Sequence, residues 1–143
     1  MKTYKAKICL LGDPSVGKTS LVTRFVVNKF SERYLSTLGT RMYKKEVRVK
    51  IHDKESNVML VIWDILGQKA FERTIDSALQ GASGAFVVCD ITNKKSLLSF
   101  EDWIRKLYDA TGHPVPMVFL ANKADLKSRC AVDLEHFRFL GKS

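Results

Sequence analysis

Apolar residues in this chain fall into short runs that predict alternating strands and helices. Continuous apolar runs at 5–11, 84–90 and 116–121 are typical of strands that are buried on both faces. Apolar positions at helical spacing predict helices over 20–27 and 95–111. The chain therefore carries the alternating pattern of an α/β protein.

Two β-rich runs, 40–52 and 58–63, interrupt this alternation, and the polar residues 53–57 between them predict a hairpin turn. Residues 28–38 show no clear period, and a further helix is predicted over 132–140. The order predicts a mostly parallel sheet with one antiparallel hairpin and helices on both faces, a three-layer α/β sandwich. Right-handed crossovers would place ligand-binding loops at the carboxyl ends of the strands.

Length and composition favour one globular domain over residues 1–143, with 45% hydrophobic residues to build its core. No run approaches the roughly 20 apolar residues that cross a bilayer, and the N-terminus enters a strand without a signal-peptide pattern, so we expect an intracellular protein. The three cysteines, Cys9, Cys89 and Cys130, form neither a disulfide framework nor a zinc motif.

The 24 basic and 15 acidic residues give a net charge of +9, which suits nucleic acid, an anionic membrane or a polyphosphate ligand. Most basic residues are scattered, and no basic motif with interleaved aromatic residues accompanies them. One cluster lies on a predicted strand: Arg41, Lys44, Lys45, Arg48 and Lys50. We interpret it as an exposed strand face and expect no specific nucleic-acid partner.

Residues 12–19 (GDPSVGKT) fit the pattern G-x-x-x-x-G-K-[ST] between a predicted strand and a predicted helix, which is typical of a phosphate-binding loop. The glycines let backbone N–H groups turn inward, and the helix N-terminus adds positive potential. Lys18 would reach the β and γ oxygens, and the Thr19 hydroxyl would bind Mg²⁺. The expected phosphate contacts come from Asp13, Ser15, Val16, Gly17, Lys18, Thr19 and Ser20. The loop alone indicates any ligand with at least two phosphates, or a ligand-free glycine turn.

Asp64-Ile65-Leu66-Gly67-Gln68 directly follows another apolar run. A carboxylate such as Asp64 at a strand end beside a phosphate loop suits Mg²⁺ coordination. Gly67 could bring its N–H to a terminal phosphate, and Gln68 could orient water. An acidic turn before a helix is the structural alternative.

Asn122-Lys123-Ala124-Asp125 follows the last predicted strand. The Asp125 carboxylate can accept hydrogen bonds from guanine N1–H and the N2 amino group, whereas adenine offers no donor at that edge. Asn122 can bond both the base and the phosphate loop, and the Lys123 stem can lie along the purine. The segment predicts a guanine site, with an ordinary polar turn as the alternative.

Two further residues stand near the aperiodic segment. The Thr37 hydroxyl could complete a Mg²⁺ shell only while a γ-phosphate is present, which would make this segment a switch. Phe30 could cover the base or the ribose. Loop threonines and packed aromatics without any such role are common.

With G-x-x-x-x-G-K-T, T-L-G, W-D-x-x-G-Q and N-K-A-D in this order and spacing, the chain resembles the Ras superfamily of small GTPases, closest to its Ras and Rab branches. The resemblance covers essentially the whole chain and implies a P-loop NTPase fold that binds GTP and GDP with Mg²⁺. It implies Lys18 and Gln68 as the catalytic residues. The implied ligands of the metal are Thr19, Thr37 and Asp64. Effector, exchange-factor and GTPase-activating proteins are the implied partners.

The chain departs from the family pattern at three places. It has Ile65 and Leu66 where the family usually has Thr-Ala, and Pro14 where many relatives have a small residue. It stops at Ser143, before the sixth strand, the base loop and the last helix of the family. We therefore expect exposed apolar surface from 8–11 and 85–88, either in a piece of a longer protein or in a short member covered by dimerisation. Membrane association would require that absent C-terminus.

Three functions remain open on the sequence. The first is a GTP-hydrolysing switch with segments around 29–39 and 64–78 that signal to effectors. The second is a nucleotide-binding scaffold with little hydrolysis, motivated by Pro14, Leu66 and the early end. The third is a P-loop ATPase or small kinase, which Asp125 and the lack of a substrate lid disfavour.

Overall fold

The computed structural model describes residues 2–14, 16–26, 33–35, 40–65, 72–123 and 125–126. Its strands are β1 (Lys2–Leu11), β2 (Arg33–Leu35), β3 (Thr40–Ile51), β4 (Lys54–Ile65), β5 (Gly84–Asp90) and β6 (Met117–Asn122). Its helices are α1 (Lys18–Phe25), α2 (Glu72–Leu79), α3 (Lys94–Leu98) and α4 (Phe100–Thr111). The predicted helix over 132–140 lies outside these described residues.

One sheet organises the described part of the chain, with the strand order β2-β3-β4-β1-β5-β6. β1 pairs in parallel with both β4 and β5, and β5 pairs in parallel with β6. β3 is antiparallel to β2 and to β4, so it alone runs against the other five strands. The predicted mostly parallel α/β sheet is confirmed, and β1 ends near the middle of the sheet, where ligands of such folds bind.

Helices cover both faces of this sheet. On one face, α2 and α4 bury the larger cluster, in which Trp103, Phe100 and Leu107 of α4 are at most 4% exposed. Cys9 and Cys89 belong to this cluster, and burial raises the pKa of the Cys9 thiol to about 11 despite the nearby Lys7 ammonium. On the opposite face, α1 packs on a smaller cluster: Leu10, Val22, Val26, Tyr43 and Ile62. The result is the predicted three-layer arrangement.

The hairpin turn is shorter than the sequence indicated. We predicted a turn over 53–57, but Lys54 already pairs with Ile51, and Glu55 pairs with Lys50. The turn consists of His52 and Asp53, whose φ angles are 50° and 63°. A two-residue hairpin with positive φ at both positions matches the twist of the strands, and His and Asp tolerate that conformation better than most residues. Polar composition alone predicted too long a turn, because residues 54–57 belong to β4.

The predicted helix over 95–111 is two helices. α3 ends at Leu98 and α4 begins at Phe100, with Ser99 between them at φ −74° and ψ −9°. This ψ departs from the helical value near −42° and separates the two helices, although the Ser99 N–H still donates to the Lys95 carbonyl at 3.0 Å and the Ser99 carbonyl still accepts from the Trp103 N–H at 3.1 Å. A second small difference is β2, a three-residue strand inside the aperiodic residues 28–38 that is too short to show a period.

Of the residues at 8–11 and 85–88, which we expected to contribute exposed apolar surface, Ile8, Leu10 and Phe86 line an apolar groove and the others are buried. Leu11, Val87 and Val88 are fully buried, because these residues lie within the two packed layers. This groove has a volume of about 170 Å³ and lies between α1 and β6. Phe25 and Leu120 line it, together with Ile8, Leu10, Leu21, Val22, Leu60, Ile62 and Phe86. None of the helices in the described ranges is long and apolar enough to cross a membrane.

Candidate functional site

A loop joins the end of β1 to the start of α1 and approaches two neighbouring strands closely. Gly12 has φ 148°, and a Cβ there would lie 2.5 Å from the Val88 carbonyl oxygen of β5. Gly17 has φ 99° and is the N-cap of α1, where its carbonyl accepts the first helical bond from the Leu21 N–H at 3.0 Å. A Cβ on Gly17 would lie 2.2 Å from the Asn122 amide nitrogen. Both positions therefore require glycine.

Lys18 is the first residue of α1 and is only 6% exposed. Its ammonium donates to the Gly12 carbonyl at 2.8 Å and to the Asp13 carbonyl at 3.0 Å. Burial lowers the pKa of Lys18, while the carboxylates of Asp64 and Asp13 act in the opposite direction. A buried ammonium at an N-terminus that lacks acidic residues in its first turn is a strong site for an anion.

Asp64 near the end of β4 is completely buried and faces the start of α1. The Thr19 hydroxyl donates to its Oδ2 at 2.5 Å, and its Oδ1 has no hydrogen-bond partner among the described residues. A buried carboxylate oxygen without a partner is costly, and a hard cation with oxygen ligands would compensate it. The described ranges contain no cluster of three or more His, Cys, Asp or Glu. Mg²⁺ suits such a sparse set, because it usually keeps phosphate oxygens and waters as its other ligands.

Asn122 ends β6 and connects the predicted base segment to the phosphate loop. Its amide nitrogen donates to the Val16 carbonyl at 2.8 Å across 106 positions of sequence. Asp125 follows on a short turn in which the Leu126 N–H donates to the Lys123 carbonyl at 2.9 Å, and its side chain is exposed. The segment that would read a base is thus joined to the loop that would bind phosphate.

Lys123 pairs with Asp90, a residue that our sequence reasoning missed. The Lys123 ammonium donates to Asp90 Oδ2 at 2.7 Å, and the Thr92 N–H and hydroxyl both donate to Oδ1. Burial raises the pKa of Asp90, but the hydrogen bonds from Lys123 and Thr92 outweigh it and lower the pKa overall. Asp90 ends the apolar run of β5, so the rule that singled out Asp64 and Asn122 could have found it.

This ion pair predicts a pH-dependent stability. Because the pKa of Asp90 is lowered on folding, its contribution is present above the unfolded value near 3.8 and is lost as pH falls through the folded value. We expect Asp90→Asn to lower the free energy of unfolding by about 1–3 kcal/mol at pH 7 and by less near pH 3, which is below the unfolded pKa of aspartate. Urea unfolding at both pH values measures it.

The control for this prediction is Asp102→Asn. Asp102 and Arg105 form a 3.9 Å pair whose side chains are 72% and 71% exposed, so its loss should cost at most about 1 kcal/mol. Equal costs of Asp90→Asn at pH 7 and pH 3 would show that the carboxylate charge at position 90 contributes nothing.

Of the other residues that the sequence analysis singled out, some are described by the structure and others are not. Ser20 is exposed in the first turn of α1, and Pro14 is exposed in the loop. Ile65 is completely buried in the larger cluster. Five predicted residues lie outside the described ranges, as does Leu66: Ser15, Phe30, Thr37, Gly67 and Gln68.

The Asp13 side chain points away from the loop that we expected it to serve. Its Oδ2 accepts from the Ser99 hydroxyl at 2.7 Å, and its Oδ1 accepts from the Trp103 indole N–H at 3.2 Å. The sequence offered no signal for this contact, because the partners are 86 and 90 positions away. The Asp13 backbone carbonyl faces the loop, where it accepts from the Lys18 ammonium.

Comparison with known proteins identifies the family. The Ras family model matches residues 7–143. This chain belongs to the Ras family. Its similarity to Ras-related protein RABA1f of Arabidopsis thaliana is 35% identity over 132 residues, which is 92% of the chain and 59% of that relative. Ras-related protein Rab-21 of Bos taurus is 32% identical over 94% of the chain and 59% of its own length.

A third relative, Ras-related protein Rab-28 of Caenorhabditis elegans, is 36% identical over 90% of the chain and 52% of its own length. The chain thus spans somewhat more than half the length of these curated relatives. Membership in the Ras family confirms the predicted resemblance to small GTPases of the Ras and Rab type.

Proposed function

We propose that this Ras-family chain is a guanine-nucleotide switch that binds GTP and GDP with Mg²⁺ and hydrolyses GTP to GDP. The observation that carries the proposal is the hydrogen bond from Asn122 to the Val16 carbonyl, because it joins a guanine-type base segment to a phosphate-type loop. Residues 1–143 act as one nucleotide-binding domain in this proposal. The ATPase or kinase alternative is disfavoured by Asp125, whose carboxylate would find no donor on adenine.

Each residue of the loop has a chemical task in the proposed site. The buried Lys18 ammonium exchanges its bonds to two loop carbonyls for β- and γ-phosphate oxygens, which stabilises the charge that develops during phosphoryl transfer. Thr19 and Asp64, with Thr37 from the first switch, would hold Mg²⁺, which would neutralise phosphate charge when bound. The backbone N–H groups of the loop and the hydroxyls of Ser15 and Ser20 add donors to the phosphates.

At the other end of the site, Asp125 accepts hydrogen bonds from guanine, Lys123 lies along the purine, and Phe30 covers the base or ribose. Gln68 orients the attacking water, and Gly67 binds the γ-phosphate through its N–H. Loss of that phosphate would release Thr37 and Gly67, so segments 29–39 and 64–78 would change partners between the two states. Effectors, exchange factors and GTPase-activating proteins are the proposed partners.

The direct test is the nucleotide that copurifies with the chain, identified by chromatography after denaturation. We expect GDP or GTP at about one molecule per protein, and displacement of a fluorescent GDP analogue by GTP but not by ATP, because adenine lacks donors for Asp125. Stronger displacement by ATP would contradict a guanine site.

Hydrolysis requires its own measurement. In single-turnover assays with bound GTP, we expect slow conversion to GDP and a further slowing in Gln68→Leu, because leucine cannot orient water. Gln80→Leu, on an exposed residue just after α2, is the matched control. An equal rate in Gln68→Leu and the wild type would remove Gln68 from the proposed mechanism.

A further inference from the structure

Both carboxylate oxygens of Asp13 are engaged by the start of α4. Ser99 donates to Oδ2 at 2.7 Å, and the Trp103 indole donates to Oδ1 at 3.2 Å. The carboxylate also lies at the N-terminal end of a 12-residue helix, where negative charge is stabilised. Among the described residues, this contact joins a side chain of the phosphate loop to the α4 side of the sheet.

The two donors are held in place by the core. Trp103 is 4% exposed and belongs to the larger hydrophobic cluster, so its indole N–H has little freedom to move. Ser99 lies between two helices, where its N–H donates to the Lys95 carbonyl at 3.0 Å and its carbonyl accepts from the Trp103 N–H at 3.1 Å. Asp13 is therefore attached to a rigid part of the molecule.

The backbone of Asp13 reaches the centre of the candidate site. Its carbonyl accepts from the Lys18 ammonium at 3.0 Å, beside the Gly12 carbonyl at 2.8 Å. A displacement of Asp13 would shift the loop backbone that carries these carbonyls and the N–H groups proposed to bind phosphate, which stay in the loop after the Lys18 ammonium has exchanged its bonds for phosphate oxygens. A carboxylate aimed at a bound polyphosphate would repel it, so the observed direction toward α4 also removes an unfavourable charge from the site.

We propose that Asp13 is a positioning residue that fixes the phosphate loop against α4 through Ser99 and Trp103 and so slows the release of the bound nucleotide. The proposal rests on the guanine-nucleotide function above. It assigns to the Asp13 side chain a task that differs from the phosphate contact predicted from the motif. Its partners Ser99 and Trp103 would influence nucleotide release through Asp13, without contacting the nucleotide.

The experiment measures dissociation of a fluorescent GDP analogue from the whole chain. Asp13→Ala should raise the dissociation rate about tenfold, because two hydrogen bonds to a carboxylate are lost. Ser99→Ala, which leaves the loop sequence intact, should raise it about threefold. The double variant should be no faster than Asp13→Ala alone, because both substitutions remove the same contact.

Asp13→Asn provides the rescue. Its amide oxygen can accept from the Trp103 indole, and its amide nitrogen can donate to Ser99 Oγ, whose proton then goes to the Lys95 carbonyl 3.0 Å away. We therefore expect a dissociation rate close to that of the wild type. Glu101→Gln is the matched control, since it removes an exposed acidic charge from the same first turn of α4.

The outcomes separate this inference from the function on which it rests. Faster dissociation in Asp13→Ala and Ser99→Ala, with rescue by Asp13→Asn, supports the positioning role. A lower melting temperature with an unchanged dissociation rate would make the contact merely structural and overturn the proposal, as would fast dissociation in Asp13→Asn. A wild-type chain that binds no GDP would overturn the proposed function itself and this inference with it.

Discussion

Gly17→Ala is expected to reduce GDP affinity at least about 100-fold, the largest loss that we predict for a single methyl group in this chain. The added Cβ would lie 2.2 Å from the Asn122 amide nitrogen and would force that side chain away from the Val16 carbonyl. The φ of 99° also disfavours any residue with a Cβ. Equilibrium titration with a fluorescent GDP analogue measures the loss.

The two causes can be separated in an Asn122→Ala background. There the clash is absent, so Gly17→Ala should cost only the backbone strain of about 1–2 kcal/mol, or roughly 5- to 30-fold in affinity. Gly81→Ala is the control for backbone strain without a clash, because Gly81 has φ 75° and no atom within 4 Å of an added Cβ. Its cost is measured as a loss in the free energy of unfolding. Equal losses for Gly17→Ala with and without Asn122 would show that the clash with Asn122 plays no part.

The elements that the sequence predicted best are those whose signal is local. β5 begins and ends where its apolar run does, at Gly84 and Asp90, because a strand buried on both faces has no polar residue inside it. The turn at His52 and Asp53 was misplaced because Lys54–Asn57 look like loop residues but pair across an otherwise ordinary hairpin. Polar composition cannot distinguish an exposed strand end from a turn.

The helix break at Ser99 shows a different limit. The apolar spacing continues through it, since Leu97, Phe100 and Trp103 are all buried on the same side. The interruption accompanies the bond from Ser99 to Asp13, a residue 86 positions earlier. A contact of that kind depends on how the strands are ordered in the sheet, which local patterns do not encode.

The same distinction between local signals and long-range contacts applies to the candidate site. The motif residues could be chosen by their chemistry, and the structure brings Val16 to Asn122 and Thr19 to Asp64. The supporting contact of Asp13 could not be predicted, because its partners Ser99 and Trp103 belong to no short motif. Asp90 could have been found, since it ends an apolar strand and pairs with Lys123 of the predicted base segment. Motifs therefore predicted which groups would meet a ligand, while the topology determines what holds those groups in place.

Asp125→Asn is expected to exchange the base preference of the site from guanine to xanthine. In the proposed site the Asp125 carboxylate would accept from guanine N1–H and the N2 amino group, but an amide has one acceptor and one donor. Xanthine has an N1–H donor and a carbonyl oxygen in place of the amino group, so the amide matches it. GDP affinity should fall at least about 100-fold because two donors would face each other, and xanthosine diphosphate should become the tighter ligand.

Competition of the two diphosphates against a fluorescent analogue of each measures this exchange. The Asp125 side chain is exposed, so the substitution should change the free energy of unfolding by no more than about 0.5 kcal/mol. Asp109→Asn, an exposed aspartate on α4, should leave the preference for GDP intact. Retention of GDP affinity by Asp125→Asn without a gain for xanthosine diphosphate would mean that the base is read elsewhere. The bond from Asn122 to the Val16 carbonyl would then join the phosphate loop to a segment with no part in base recognition, and the guanine assignment would lose its physical basis.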